Sequence, residues 1–199
     1  MTSYIRVLHA SPDTPDISVY DHNGNIIANG LVYSDFTEYL PVHSGTCKVR
    51  CIPLGAEEPL IDITFNIPES TVCTVAACGE LDRVSVLTIS ESPMYIPPDR
   101  ACLRFANLSH DCPEVDVTLS GYNTLCSGIS YGEVSGYTVI DPGTYTLHMS
   151  ASGSGNVILT VPNQTFYPGR YYTAYAVGRH GNSSLQLHTP LDGISYIRV

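Results

Sequence analysis

The chain repeats itself, and that constrains the fold more than any single motif. Slid over itself by 98 residues, positions 5–51 align with 103–149 without a gap. The identical pairs are Arg6/Arg104, Ser11/Ser109, Asp13/Asp111, Pro15/Pro113, Val19/Val117, Asn25/Asn123, Gly30/Gly128, Tyr33/Tyr131, Tyr39/Tyr137, Gly45/Gly143 and Thr46/Thr144. Pairs such as Ile17/Val115, Leu31/Ile129 and Asp35/Glu133 are conservative. After one inserted residue the match resumes with Thr74/Thr173, Ala77/Ala176 and Gly79/Gly178. Each copy must therefore close its own core within roughly 90 residues, which is a workable domain size. The expected layout is a first module over 1–91, a Pro-rich linker over 92–100 and a second module over 101–193. A C-terminal strand over 194–199 would resemble the start of a third repeat.

Within each copy the pattern is that of strands. Ile61, Ile63, Phe65 and Ile67 alternate with Asp62, Thr64 and Asn66, the period-two signature of a half-buried strand. Candidate strands cover 4–10, 16–21, 26–33, 35–42, 46–53, 60–67, 71–78 and 83–90. They are punctuated by Ser11-Pro12-Asp13-Thr14-Pro15, Asn23-Gly24, His43-Ser44-Gly45, Gly55 and Pro68-Glu69-Ser70. No stretch sustains a helical period. Short strands separated by regular turns predict an all-β chain of two tandem sandwich modules, immunoglobulin-like or prealbumin-like.

Composition narrows the partners. The 199 residues carry a net charge of −10, and Lys48 is the only lysine. A polyphosphate or an anionic membrane needs clustered cations, so neither is an expected partner. No apolar run approaches the length of a membrane-spanning helix, and the start lacks the charged and apolar regions of a secretory leader. Cytoplasm is thus the default location. Seven cysteines cannot all pair within one chain, which fits a reducing compartment or intermolecular cross-linking.

The run from Arg6 to Tyr20, Arg-Val-Leu-His-Ala-Ser-Pro-Asp-Thr-Pro-Asp-Ile-Ser-Val-Tyr, resembles the opening signature of the bacterial "domain of unknown function 4397" family. Tyr39-Leu40-Pro41-Val42 with Ser44-Gly45-Thr46 is similar to its middle, and Thr74-Val75-Ala76-Ala77-Cys78-Gly79 to its end. The second copy diverges at Arg104-Phe105-Ala106-Asn107-Leu108-Ser109. It recovers at Asp141-Pro142-Gly143-Thr144-Tyr145-Thr146-Leu147 and at Tyr172-Thr173-Ala174-Tyr175-Ala176-Val177-Gly178. The resemblance implies a β-sandwich module, often tandem, frequently on surface or secreted proteins, with no established activity. It leaves surface or coat association open.

Candidate chemistries are few. Gly128-Ile129-Ser130-Tyr131-Gly132 has the Gly-x-Ser-x-Gly spacing of a nucleophile elbow, which functions only where a strand turns sharply into a helix. No helix is expected after Gly132, so no catalytic residue is assigned. Cys47, Cys51, Cys73 and Cys78 have zinc-like spacings. Strand positions four apart, however, lie roughly 13 Å from each other, too far to share one ion. Buried thiols are the better reading, with a Cys47–Cys73 disulfide left open under oxidising conditions. His9, Asp13 and His43, and Asn107, Asp111 and Asp141 in the second copy, could gather into polar clusters. The aspartates are explained more simply as turn formers. No metal and no cofactor are expected.

Arg6 and Arg104 stand within apolar first strands, where alternation would place them on an outward face near a sheet edge. The expected function is a non-enzymatic structural or interaction protein. The alternative is a glycan- or peptide-binding module that uses Tyr33, Tyr39, Tyr131 and Tyr137 as an exposed stacking platform. Residues 195–199 repeat the Ser-Tyr-Ile-Arg-Val of residues 3–7, so self-association through a C-terminal strand is a further expectation.

Overall fold

A computed structural model describes residues 2–121 and 124–199. Asn123, one of the repeated positions, lies outside them. The first half contains β1 (Thr2–Ala10), β2 (Ile17–Tyr20), β3 (Ile26–Leu31), β4 (Leu40–His43), β5 (Gly45–Pro53), β6 (Ile61–Ile67), β7 (Val72–Cys78) and β8 (Ser85–Glu91). The second half contains β9 (Ala101–Asn107), β10 (Val115–Leu119), β11 (Thr124–Ile129), β12 (Thr138–Ile140), β13 (Gly143–Ala151), β14 (Val157–Phe166), β15 (Tyr171–Val177) and β16 (Gln186–His188). Short 3-10 turns occur at Leu81–Arg83 and Gly193–Ser195.

In the first half, one sheet runs β4-β1-β7-β8 and the other β3-β2-β5-β6. The second half has the same orders eight strands on, β12-β9-β15-β16 and β11-β10-β13-β14. In both, the central pair of the first sheet is parallel: Arg6 lies opposite Thr74, and Arg104 opposite Thr173. An immunoglobulin sandwich places its first two strands in one sheet. Here β1 and β2 fall in opposite sheets, which leaves the prealbumin-like arrangement of the two expected.

Each sandwich closes on its own core. Ile5, Val7, Cys73, Val75 and Ala77 of one sheet pack against Ile17, Val19, Val49, Cys51, Ile61 and Ile67 of the other. The second core is built from equivalent positions, with Leu103, Phe105, Ala174 and Ala176 against Val115, Val117, Leu147, Met149 and Phe166. The strands β7 and β15 are buried along their whole length, on both faces. That explains their unbroken apolar runs, as expected for strands at a sheet centre with a parallel partner.

Two compact units result: residues up to Ser92 together with Tyr196–Val199, and Pro93–Ser195. The Pro-rich stretch belongs to the second unit rather than standing apart as a linker. The Tyr171 hydroxyl donates to the Met94 carbonyl, and Gly169 N–H donates to Arg100 O at 2.7 Å.

Three local departures have physical causes. The strand expected over 35–42 is formed only from Leu40. Residues 34–37 still follow β1, with Thr37 N–H on Val7 O at 2.9 Å, but the Thr37 hydroxyl takes the Val7 N–H in place of a backbone carbonyl. Ser135 does the same to Phe105 in the second copy. The single inserted residue of the second copy is a bulge in β14: the register shifts between Tyr145/Gln164 and Leu147/Val161, beside Asn163 at φ +60°.

The C-terminus is the third, and it corrects the strand expected over 194–199. Gly193–Ser195 is a 3-10 turn, and Tyr196–Val199 belong to no strand. Ser195 is pinned at the start of β15, where its Oγ accepts the Tyr171 N–H at 2.9 Å. The positions that such a strand would copy are already taken by β1 and β9, each paired on both sides.

Candidate functional site

The duplicated arginines are the first feature to resolve. Arg6 and Arg104 are only 4% and 6% exposed, which corrects their expected outward, edge-proximal placement. Alternation does turn them away from the sandwich core, but β1 and β9 are central strands and their outer face is covered. The Arg6 guanidinium lies 4.7 Å from the ring centres of both Phe36 and Tyr39. Its Nε donates to the Thr74 hydroxyl at 2.9 Å, and the buried Glu91 carboxylate lies 3.9 Å away. Tyr39 donates its hydroxyl to Glu91 as well.

The second module rebuilds the same cluster. Arg104 Nε donates to Thr173 Oγ1 at 2.9 Å and stacks 4.4 Å from the centre of the Tyr137 ring. Asp192, fully buried, accepts from Thr173 Oγ1 at 2.7 Å and from the Tyr137 hydroxyl at 2.6 Å. A buried guanidinium is tolerated only with an opposite charge and hydrogen bonds around it, and each cluster supplies both. Sequence reasoning missed Glu91 and Asp192, because neither stands at a repeated position of the aligned segments.

The four tyrosines are not an exposed platform, a second correction. All four are half-buried. Tyr39 and Tyr137 cover the arginines, while Tyr33 and Tyr131 meet His9 and His110 edge-on at 6.0 and 6.5 Å. Burial, then the nearby Asp13 charge, pushes the Tyr33 phenol up to about 12. Their recurrence reflects duplicated packing.

The polar clusters do not assemble as ligand sets. His9 is fully buried near the end of β1, with Nε2 3.3 Å from Pro15 O, whereas His43 pairs with Thr2 at its start. Seven residues of strand, about 23 Å, separate the two. Burial holds the His9 imidazole below its ordinary value. Asp13 is exposed. Asp111 reaches out of its own turn to accept the N–H groups of His180 and Gly181 at 2.8 and 2.9 Å. Burial opposes its charge, but those two bonds and one from Ser109 keep its carboxyl below the usual range. Asn107 binds Ile129 O and the Ser109 N–H, while Asp141 pairs with Arg100. Among the described residues no group of three or more His, Cys, Asp or Glu is placed to hold a metal ion.

The Gly-x-Ser-x-Gly run is a bulge followed by a turn. Gly128 sits at φ +69° at a register shift between β10 and β11, as Gly30 does at +68° in the first copy. Ser130 then opens a turn closed by Glu133 N–H on Ser130 O at 3.1 Å, and the chain returns beside β9 at Val134. No strand-to-helix elbow forms there.

The cysteines are all free thiols. Cys47 and Cys73 belong to facing sheets, on β5 and β7, rather than to neighbouring strands. Burial raises Cys51 and Cys73 to about 12 and Cys102, Cys112 and Cys126 to about 11.

A cleft of about 520 Å³ opens at one end of the first sandwich, and a shallower one of about 560 Å³ opens in the second beside Tyr167, Arg170 and Tyr172. Ile5, Ile27, Val42 and Cys47 contribute the apolar lining of the first, and His22, His43 and Lys48 its polar part. One wall is the β2–β3 hairpin. There Asp21 accepts the Asn25 side-chain amide and the backbone N–H groups of Asn23 and Asn25, each at 2.8 Å. The Asn25 amide leads in holding the Asp21 carboxyl below its usual range. Lys48 is tied to Asp62 at 2.8 Å, so its charge is compensated. Such a site can bind a small, partly apolar group.

A duplicated eight-stranded β-sandwich, with a buried arginine–carboxylate cluster on one sheet of each copy, defines a tandem all-β sandwich protein. The chain belongs to the family described as "Domain of unknown function (DUF4397)", whose model matches residues 3–118. No curated protein matches the chain. Among solved structures it is similar to the CBM26-family module CBMbc of Eubacterium rectale Amy13K, solved in complex with maltoheptaose. The identity is 12%, over 99% of this chain and 100% of that one, with a TM-score of 0.31. It is also similar to a streptococcal virulence factor described for alpha-glucan binding, at 10% identity over 99% of this chain and 100% of that one, with a TM-score of 0.27. No helix among the described residues is long and apolar enough to cross a membrane.

Proposed function

We propose that the chain is a non-enzymatic interaction protein, a duplicated β-sandwich that serves in surface, envelope or coat assembly and offers the cleft of its first module to a partner. The observation that carries this reading is the division of labour among its polar groups. Arg6, Thr74, Glu91 and Tyr39, with their counterparts in the second module, are used to tie together the strands of one sheet in each copy. The cleft beside Cys47 remains open. The glycan platform of four tyrosines is not favoured, because two of those rings cover arginines and two abut histidines. Fractionation of cells that make the protein natively tests the proposal. Recovery with envelope or coat material, released by agents that break protein–protein contacts, is the expected result. Recovery only as a soluble, partner-free monomer would overturn it.

A further inference from the structure

The repeat itself indicates what the cleft accepts. Cys47 and Tyr145 occupy the same place, two residues into β5 and β13, and both side chains point toward their cores. In the second module the Tyr145 ring stacks on Phe166 at 6.2 Å with an interplanar angle of 29°. Its hydroxyl donates to the Asp141 carbonyl at 2.9 Å. The ring also lies along Gly143, where an added Cβ would meet Tyr145 atoms at 3.3 to 3.5 Å.

In the first module those pieces are smaller. Cys47 stands for the tyrosine, and Ile67, which faces Gly45, stands for Phe166, which faces Gly143. An added Cβ at Gly45 would meet nothing within 4 Å. The counterpart of Asp141 is His43, which lies inside the β1–β4 ladder opposite Thr2, whereas Asp141 stands just beyond the β12–β9 ladder. The lining corresponds across the copies: Ile5 to Leu103, Ile27 to Leu125 and Val42 to Ile140. A large-to-small difference in a packed frame leaves a shaped volume that suits the missing group.

We infer that the cleft is a receptor for a phenol ring, the tyrosine side chain of a partner polypeptide, seated where Tyr145 packs in the second module. The inference rests on the interaction reading above and names the chemistry of its site. The ring lies among Ile5, Ile27, Val42 and Cys47, and its hydroxyl reaches His43. Residues on either side of that tyrosine extend past His22 and His43 toward the cleft mouth.

The test titrates the full chain with p-cresol, toluene, N-acetyltyrosinamide and N-acetylphenylalaninamide. The readout is the rate at which a maleimide alkylates Cys47, located by peptide mass spectrometry. Both phenols are expected to slow alkylation, by about tenfold at about ten times their Kd. Toluene and the phenylalanine amide should do so only at much higher concentration. Saturable p-cresol shifts in the NMR spectrum should vanish in Cys47→Tyr, whose own ring fills the site. Equal protection by toluene would overturn recognition of the hydroxyl, and protection by p-cresol but not by the tyrosine amide would overturn the tyrosine source. No protection by any of the four would overturn the inference even if Cys47→Tyr failed to fold. Such a failure leaves the interaction reading to the fractionation result, which does not depend on phenol binding.

Discussion

The Arg104 guanidinium lies 4.4 Å from the centre of the Tyr137 ring, and the hydroxyl of that same tyrosine donates to Asp192 at 2.6 Å. One side chain thus shields the cation and serves its counter-anion. Thr173 links the two from the other side, receiving from Arg104 and donating to Asp192. Burying these charges is costly, and the structure tolerates it because no member of the cluster can move without stranding another.

Removing one member should therefore cost more than removing the cluster. Arg104→Ala leaves Asp192 buried without its cation and should destabilise the second module by about 3–5 kcal/mol. Thr173→Val should cost about 1–3 kcal/mol. The double variant Arg104→Met with Asp192→Leu should recover most of the loss. Urea unfolding of each variant measures this, and a double variant as unstable as Arg104→Ala would contradict it.

His9 should make the first module sensitive to acid. Burial, the dominant effect, lowers its pKa from the ordinary 6.5, so below that pH the unfolded chain binds a proton that the folded chain does not. The His9 contribution is complete above pH 6.5 and is lost as the pH falls through the lowered folded value. His9→Asn, which installs the residue found at position 107, should flatten unfolding midpoints between pH 7 and pH 5. An unchanged slope would show that other groups carry the acid sensitivity.

The bulge glycines should resist substitution while the serine beside them does not. Gly30→Ala and Gly128→Ala force φ near +68° on a residue with a Cβ and should each cost about 1–3 kcal/mol. Ser130→Ala should stay within about 0.5 kcal/mol of the parent. A serine-reactive fluorophosphonate is expected to leave Ser130 unlabelled. Labelling that disappears in Ser130→Ala would restore the nucleophile reading.

Thiol reactivity should rank by burial. At pH 8 a thiol raised to about 12, as Cys51 and Cys73 are, is only about one part in ten thousand thiolate. Cys47, half-buried at the cleft, should be alkylated first under native conditions, and Cys51 and Cys73 only after denaturation. Site-resolved mass spectrometry over time checks the order.

The repeat, the strand pattern and the turn positions could be read directly from the residues, because each is a local or periodic property. Ile61 to Ile67 alternates as a strand whatever lies across the core, and matching residues 98 apart needs no structure at all. The repeat also located the pairs Arg6/Arg104 and Tyr39/Tyr137. What they do was not legible. Alternation states which face a side chain takes, not whether that face is covered. Only the order β4-β1-β7-β8 places β1 at a sheet centre and brings Glu91, 85 residues away in sequence, to Arg6. The cleft has the same origin: a cysteine in place of a tyrosine is a small difference in sequence. It becomes an open volume only because the surrounding frame, fixed by contacts between distant strands, does not collapse around it.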